Sequence, residues 1–144
     1  MVAPAPPSRK AALLGAVPLL SSLTPNQLEK LAASGVDRTF HRGETILRQG
    51  EKGIGLYLML SGSADLRRSG VRVSSLSAGQ FFGEAALLAD EPRTAEIFAT
   101  TEVNCFVLNR WDFWAAVGVD PQADRALFEA TVQRLKSIHT ELVE

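Results

Sequence analysis

The chain has 144 residues, 46 % of them apolar and 22 % charged, with 15 Lys+Arg against 16 Asp+Glu and a formal net charge of -1. This is enough apolar material for one domain with a real core, and it excludes a two-domain enzyme, global disorder and a disulfide-stapled mini-protein. The even charge balance argues against nucleic acid or anionic lipid as an electrostatic partner, so an anion must be held by a local arrangement.

Residues 1–10 read as a disordered tail, because Pro4, Pro6 and Pro7 among alanines cannot pack, and 11–144 read as a single domain. Arg9-Lys10 ahead of the apolar run Ala11 to Leu20 loosely imitates a signal peptide, but Pro18 breaks the run and no Ala-x-Ala site follows. No stretch approaches the roughly 18 apolar residues of a membrane span, so the chain is expected to be cytoplasmic and to have no membrane partner. In the N-terminal helical segment, 11–35, Leu23-Thr24-Pro25-Asn26-Gln27-Leu28 predicts a helix start. Thr24 is the N-cap, Pro25 takes the first helical position, Gln27 completes a capping box, and Leu23 and Leu28 form a hydrophobic staple. Gly35 is expected to stop the helix as its C-cap.

Over 36–109 the period changes. Val36 to Phe40, Thr45 to Gln49, Leu56 to Leu60, Ala64 to Arg68, Val71 to Leu76, Ala95 to Thr100 and Val103 to Leu108 are short strand-like runs, separated by glycine turns such as Ser61-Gly62 and Ser69-Gly70. Such spacing predicts an antiparallel sandwich or barrel. The segment 110–144 returns to helical periodicity. A first short helix carries Trp111, Phe113, Trp114 and Val117 and ends at Gly118; a second starts at Asp120-Pro121 and has an apolar stripe from Leu127 to Leu142. Phe128, Val132, Leu135, Ile138 and Leu142 have rough a/d spacing, which could support a homodimer, but the stripe is under three heptads and equally suits packing on its own domain.

The segment Gln80 to Glu96 does not fit a plain sandwich, because a helix-sized apolar insert, Ala85 to Ala89, interrupts the strands. Gly83 permits close backbone approach just before it, and the N–H groups of Glu84, Ala85 and Ala86 at the start of a helix form an anion site. Glu84 is an anion at the same point, which is tolerable if it accepts from neutral hydroxyls while a cation neutralises the ligand. Arg93 is that cation, returned by a turn at Pro92, with Thr94 and Ala95 beside it. A sugar phosphate whose phosphate lies near a free hydroxyl meets this description.

Phe82-Gly83-Glu84-Ala85-Ala86-Leu87 followed by Pro92-Arg93-Thr94-Ala95 resembles the phosphate-binding cassette of the cyclic nucleotide-binding domain family, which includes catabolite activator proteins, cyclic-nucleotide-gated channels and protein kinase regulatory subunits. Gly43 to Glu51 and Tyr57 to Gly62 are similar to the family's first hairpins. The resemblance implies an eight-stranded antiparallel β-roll with N-terminal helices, a short cassette helix and C-terminal B and C helices. It also implies that Arg93 binds the cyclic phosphate, that Glu84 takes the ribose 2′-hydroxyl and Thr94 touches phosphate or guanine, and that Gly83, Ala85 and Ala95 are backbone donors. Ala85 stands where a larger aliphatic residue is common, and Glu96 where a small polar residue is frequent; turned inward, Glu96 would weaken phosphate binding. Leu66 and Val73 are candidates for the base pocket, and Arg134, Leu135, Lys136 and Ile138 for a lid.

Taken singly, Glu84 suits the start of a helix and Arg93 a surface ion pair. Phe81, Phe82 and Tyr57 suit the core, and the lone Cys105 forms no internal disulfide and suits a buried small hydrophobe. His41 and His139 lack a paired carboxylate or cysteine, so catalytic residues, metal and cofactor are all absent from the expectation. The expected function is therefore a non-enzymatic sensor that binds a 3′,5′-cyclic nucleotide, cAMP rather than cGMP, and signals to a separate effector protein by C-terminal helix movement. A ligand-free interaction module of the same fold is the alternative, or the sensor fragment of a larger regulator. Direct binding of nucleic acid is not expected, since no basic helix-turn-helix follows the last helix.

Overall fold

The computed structural model describes residues 8–53, 55–87 and 92–118. The chain divides into two compact units, Gly35–Trp111 and a second drawn from the segments on either side of it.

In the flanking unit, α1 (Arg9–Gly15) and α2 (Pro25–Ser34) pack on each other, with a 3₁₀ turn at Pro18–Leu20 between them. Arg9 and Lys10, expected in the tail, are helical: the Ser8 hydroxyl accepts from the Ala11 N–H at 3.1 Å and caps α1. Glu29 of α2 secures the same residue, accepting from the Ser8 N–H at 2.9 Å and from its hydroxyl at 3.2 Å. The capping box of α2 forms as the sequence predicts. The Thr24 N–H donates to Gln27 Oε1 at 2.9 Å and the Gln27 N–H to Thr24 Oγ1 at 3.2 Å. α3 (Arg110–Val117) follows the last strand and ends at Gly118, whose φ is 78°. Phe113 and Trp114 meet edge to face at 5.1 Å. No described helix is long and apolar enough to cross a membrane. The second C-terminal helix, with its dimer stripe and the lid residues Arg134, Leu135, Lys136 and Ile138, lies outside the described residues.

The unit Gly35–Trp111 is an antiparallel β-roll of eight strands: β1 (Val36–Phe40), β2 (Thr45–Leu47), β3 (Gly55–Ser61), β4 (Ser63–Arg68), β5 (Val71–Ser77), β6 (Phe81–Phe82), β7 (Glu96–Ala99) and β8 (Val103–Asn109). They form two four-stranded sheets in the orders β1-β8-β3-β6 and β2-β7-β4-β5. Alternation builds the core: Tyr57 and Met59 of β3, Cys105 and Val107 of β8, Ala64 of β4 and Ile97 and Ala99 of β7 share one cluster with Phe40, Ile46 and Phe82. Strand β6 has only two residues, too few for a period-2 pattern to reveal, and periodicity alone missed it. Ser69 and Gly70 both have positive φ, 51° and 79°, as a two-residue hairpin loop between twisted strands requires.

Gly35 does not have the left-handed conformation expected of a C-cap. Its glycine is needed for another reason: a Cβ there would sit 2.3 Å from the Phe106 ring and 2.6 Å from the Val107 carbonyl oxygen.

Cys105 is fully buried, and burial pushes its thiol up to about 12. A raised thiol pKa stabilises the fold below the unfolded value of about 8.5, and that contribution is lost as pH climbs toward the folded value. The native protein is therefore expected to resist a thiol reagent at pH 8 and to react at one thiol per chain once unfolded. Rapid labelling of the native protein would contradict this burial.

Candidate functional site

Arg93 lies where the chain returning from the cassette meets the turn between β2 and β3. Its N–H donates to the Glu51 carbonyl and its own carbonyl accepts from the Gly50 N–H, both at 2.8 Å, while Lys52 and Pro92 form an isolated antiparallel bridge. This short ladder fixes the Arg93 backbone. The side chain is clamped separately: Nη1 donates to the Gly83 carbonyl and Nη2 to the Gly55 carbonyl, each at 2.9 Å. The remaining nitrogen, Nε, is buried and has no hydrogen-bond partner. Burial draws the Arg93 pKa below its ordinary value, with Tyr57 and Glu84 acting in the opposite sense. A guanidinium remains charged under such a shift, so a desolvated cation with a spare donor sits at the centre of the site.

Two glycines make room for it, and a third is needed for the strand beside it. A Cβ on Gly53 would fall 2.0 Å from Arg93 Cζ, and one on Gly83 would fall 2.5 Å from Nη1. Gly83 also has φ 79°, which side chains other than glycine rarely adopt. Gly55 is held against β8, where a Cβ would lie 1.8 Å from the Leu108 carbonyl oxygen. Sequence reading picked out Gly83 but passed over Gly53 and Gly55. The signal for them is the Gly53-Ile54-Gly55 pair at a strand start, where two glycines so close imply tight backbone approach.

Of the residues expected from the sequence, the structure brings Gly83, Glu84 and Arg93 together. Glu84 opens a one-turn 3₁₀ helix, Glu84–Leu87, half-buried and within electrostatic reach of Arg93. Ala86 departs from the expectation. Its N–H donates to the Gly83 carbonyl at 3.1 Å, because a 3₁₀ turn closes its first hydrogen bond one residue sooner than an α-helix, so this N–H is already spent. Ala85 lies within the same turn, and Leu88 to Glu91 lie outside the described residues. Thr94 is exposed and Ala95 half-buried beside Arg93. Phe82 is buried and stacks on Tyr57 at 5.2 Å, a core role.

A cavity of about 170 Å³ opens beside Arg93, walled by β2, the following turn through Gly53, and Tyr57. It is smaller than the roughly 300–1,000 Å³ of a whole small-molecule site and suits a charged head group. Glu96 accepts from the Thr45 hydroxyl at 3.2 Å; neither it nor Leu66, Val73, Gly83, Glu84, Thr94 or Ala95 is part of the cavity wall, to which Arg93 alone of the expected residues contributes. Leu66 packs on the roll core, whereas Val73 is 54 % exposed on the edge strand β5, beside a break in register at Leu66/Arg67 that interrupts the inward alternation.

The sequence profile of the cyclic nucleotide-binding domain matches residues 37–118. The cAMP-dependent protein kinase regulatory subunit of Aspergillus niger is 41 % identical over 122 residues, which cover 83 % of this chain and 30 % of that protein. This chain thus spans less than a third of that relative. Among solved structures, the cyclic nucleotide-binding-like protein from Brucella abortus superposes with a TM-score of 0.74 at 26 % identity, over 78 % of this chain and all of that one. The regulatory domain of Toxoplasma gondii PKA, crystallised with cAMP, superposes with a TM-score of 0.71 at 27 % identity, over 92 % of this chain and 49 % of that one. A profile match across more than half of its length, joined to such identity with a relative, makes this chain a member of the cyclic nucleotide-binding domain family.

Proposed function

We propose that this chain is a sensor that binds a 3′,5′-cyclic nucleotide, cAMP in preference to cGMP, and does no chemistry on it. The observation that carries this reading is the clamped Arg93, a desolvated cation whose Nε–H still lacks an acceptor, at the wall of a cavity sized for a charged head group. In this reading the cyclic phosphate sits on Arg93, the N–H groups around Gly83, Ala85 and Ala95 complete its shell, Glu84 accepts from the ribose 2′-hydroxyl, and Thr94 serves the phosphate. The preference for cAMP is supported by the A. niger relative, named a cAMP-dependent kinase regulatory subunit, and by the T. gondii domain crystallised with cAMP. A regulatory relative also supports output through a protein effector, and the second C-terminal helix expected from the sequence would be the moving part. Ligand can drive such a movement only through its higher affinity for the closed state.

A thermal melt with each nucleotide tests the reading. At a ligand concentration 100 times Kd, binding to the folded state alone adds about 2.7 kcal/mol, a rise of several degrees for a domain of this size. cAMP is expected to raise the midpoint at lower concentration than cGMP. No rise with either nucleotide would favour a ligand-free interaction module instead.

A further inference from the structure

The cavity beside Arg93 contains a second polar group. Tyr57 lies on β3 two residues from Gly55, whose carbonyl holds Arg93 Nη2, and it forms part of the cavity wall together with Arg93. It is only 6 % exposed, and its ring is fixed by stacking on Phe82 at 5.2 Å and by a tilted contact with Phe40 at 6.4 Å. Yet its hydroxyl makes no hydrogen bond to any described residue, and it is not sealed from the cavity. A tyrosine whose ring is buried ordinarily bonds its O–H to the protein, whereas this one keeps its O–H for a water or ligand in the cavity. Burial raises the phenol pKa, and the nearby Arg38 and Arg93 charges only partly oppose this, so the group is protonated at neutral pH and can donate. Tyr57 and the Arg93 guanidinium therefore wall one small cavity, and each keeps an N–H or O–H that no described residue accepts, with Arg93 Nε buried just behind the wall. A neutral donor and a cation share an acceptor most readily when that acceptor is an anionic oxygen.

We propose that the Tyr57 hydroxyl is a further ligand-binding group, donating a hydrogen bond to the same oxyanion that Arg93 holds. This rests on the function proposed above, in which the oxyanion is the cyclic phosphate. Phe82 and Phe40 hold the ring in place, so Tyr57 is preorganised at the cavity wall.

Tyr57→Phe keeps the ring and its stacking while removing only the hydroxyl. Calorimetric titration with cAMP is expected to show affinity reduced roughly 10- to 100-fold, the loss of one hydrogen bond to a charged group, with the ligand-free melting temperature unchanged. The two phosphorothioate diastereomers of cAMP, in which sulfur replaces one or the other exocyclic oxygen, separate direct contact from a structural role. A contact to one oxygen makes the wild-type protein discriminate between them, and Tyr57→Phe narrows the ratio. Unchanged cAMP affinity in Tyr57→Phe, or an equal loss for both diastereomers, overturns the assignment while leaving cyclic nucleotide binding in place. Absence of binding by the wild-type protein removes the functional reading itself, and this contact with it.

Discussion

Arg93→Ala is expected to weaken cyclic nucleotide binding between roughly 30-fold and several-thousand-fold in a calorimetric titration, because truncating the charged partner of a buried anion removes about 2 to 5 kcal/mol. The upper part of that range is favoured by the way the guanidinium is held. Two carbonyl oxygens, of Gly83 and Gly55, accept from it at 2.9 Å before any ligand arrives, so its orientation need not be acquired on binding. The same substitution leaves those two carbonyls without their donor, and a small drop in melting temperature should accompany the loss of affinity. Arg93→Lys is expected to recover only part of the affinity, since one ammonium cannot serve two divergent carbonyls and an anion together. Unchanged affinity in Arg93→Ala would remove Arg93 from the site.

Gly53→Ala and Gly55→Ala stand two residues apart and are expected to fail in different ways. The methyl of Gly53→Ala would enter the space of Arg93 Cζ, which is 2.0 Å from the ideal Cβ. That neighbour is the far end of a flexible side chain, so it moves and the fold survives, but the clamp to Gly55 and Gly83 is lost. The expected result is affinity reduced about 10-fold or more with little change in stability. The methyl of Gly55→Ala would instead meet the Leu108 carbonyl oxygen at 1.8 Å, in the central pairing of β3 with β8. Backbone cannot step aside without breaking the ladder, and overpacking of this kind costs about 1–3 kcal/mol or more. A melting temperature lower by about 4 °C or more is expected for Gly55→Ala, and equal stability of the two variants would contradict this division of roles.

Much of the fold was legible because local rules and burial agree. Thr24 and Gln27 form their capping box as the spacing requires, and the strand-like runs place Met59, Ala64, Ile97 and Cys105 in one core through simple alternation. Legibility failed where a residue's role depends on a distant neighbour. Gly35 looked like a helix stop but is a gap for the Phe106 ring, and Val73 looked inward-facing until a break in the β4–β5 register and its edge position exposed it. Strand β6 escaped periodicity because two residues carry no period.

By itself, the sequence determined the class of this protein, through its strand spacing and the cassette motif from Phe82 to Ala95, and it pointed to Arg93 as the cation expected to meet an anion there. Those follow from side-chain chemistry and short-range spacing, which a linear chain displays. Only the tertiary structure decided how Arg93 is held, since Gly55 and Gly53 are some forty residues away from it in the chain and act through a carbonyl and a missing Cβ. Only it, too, turned Tyr57 from a core residue into a wall of the cavity. Close approach and an unsatisfied donor are properties of packed neighbours, and the order of residues does not record them.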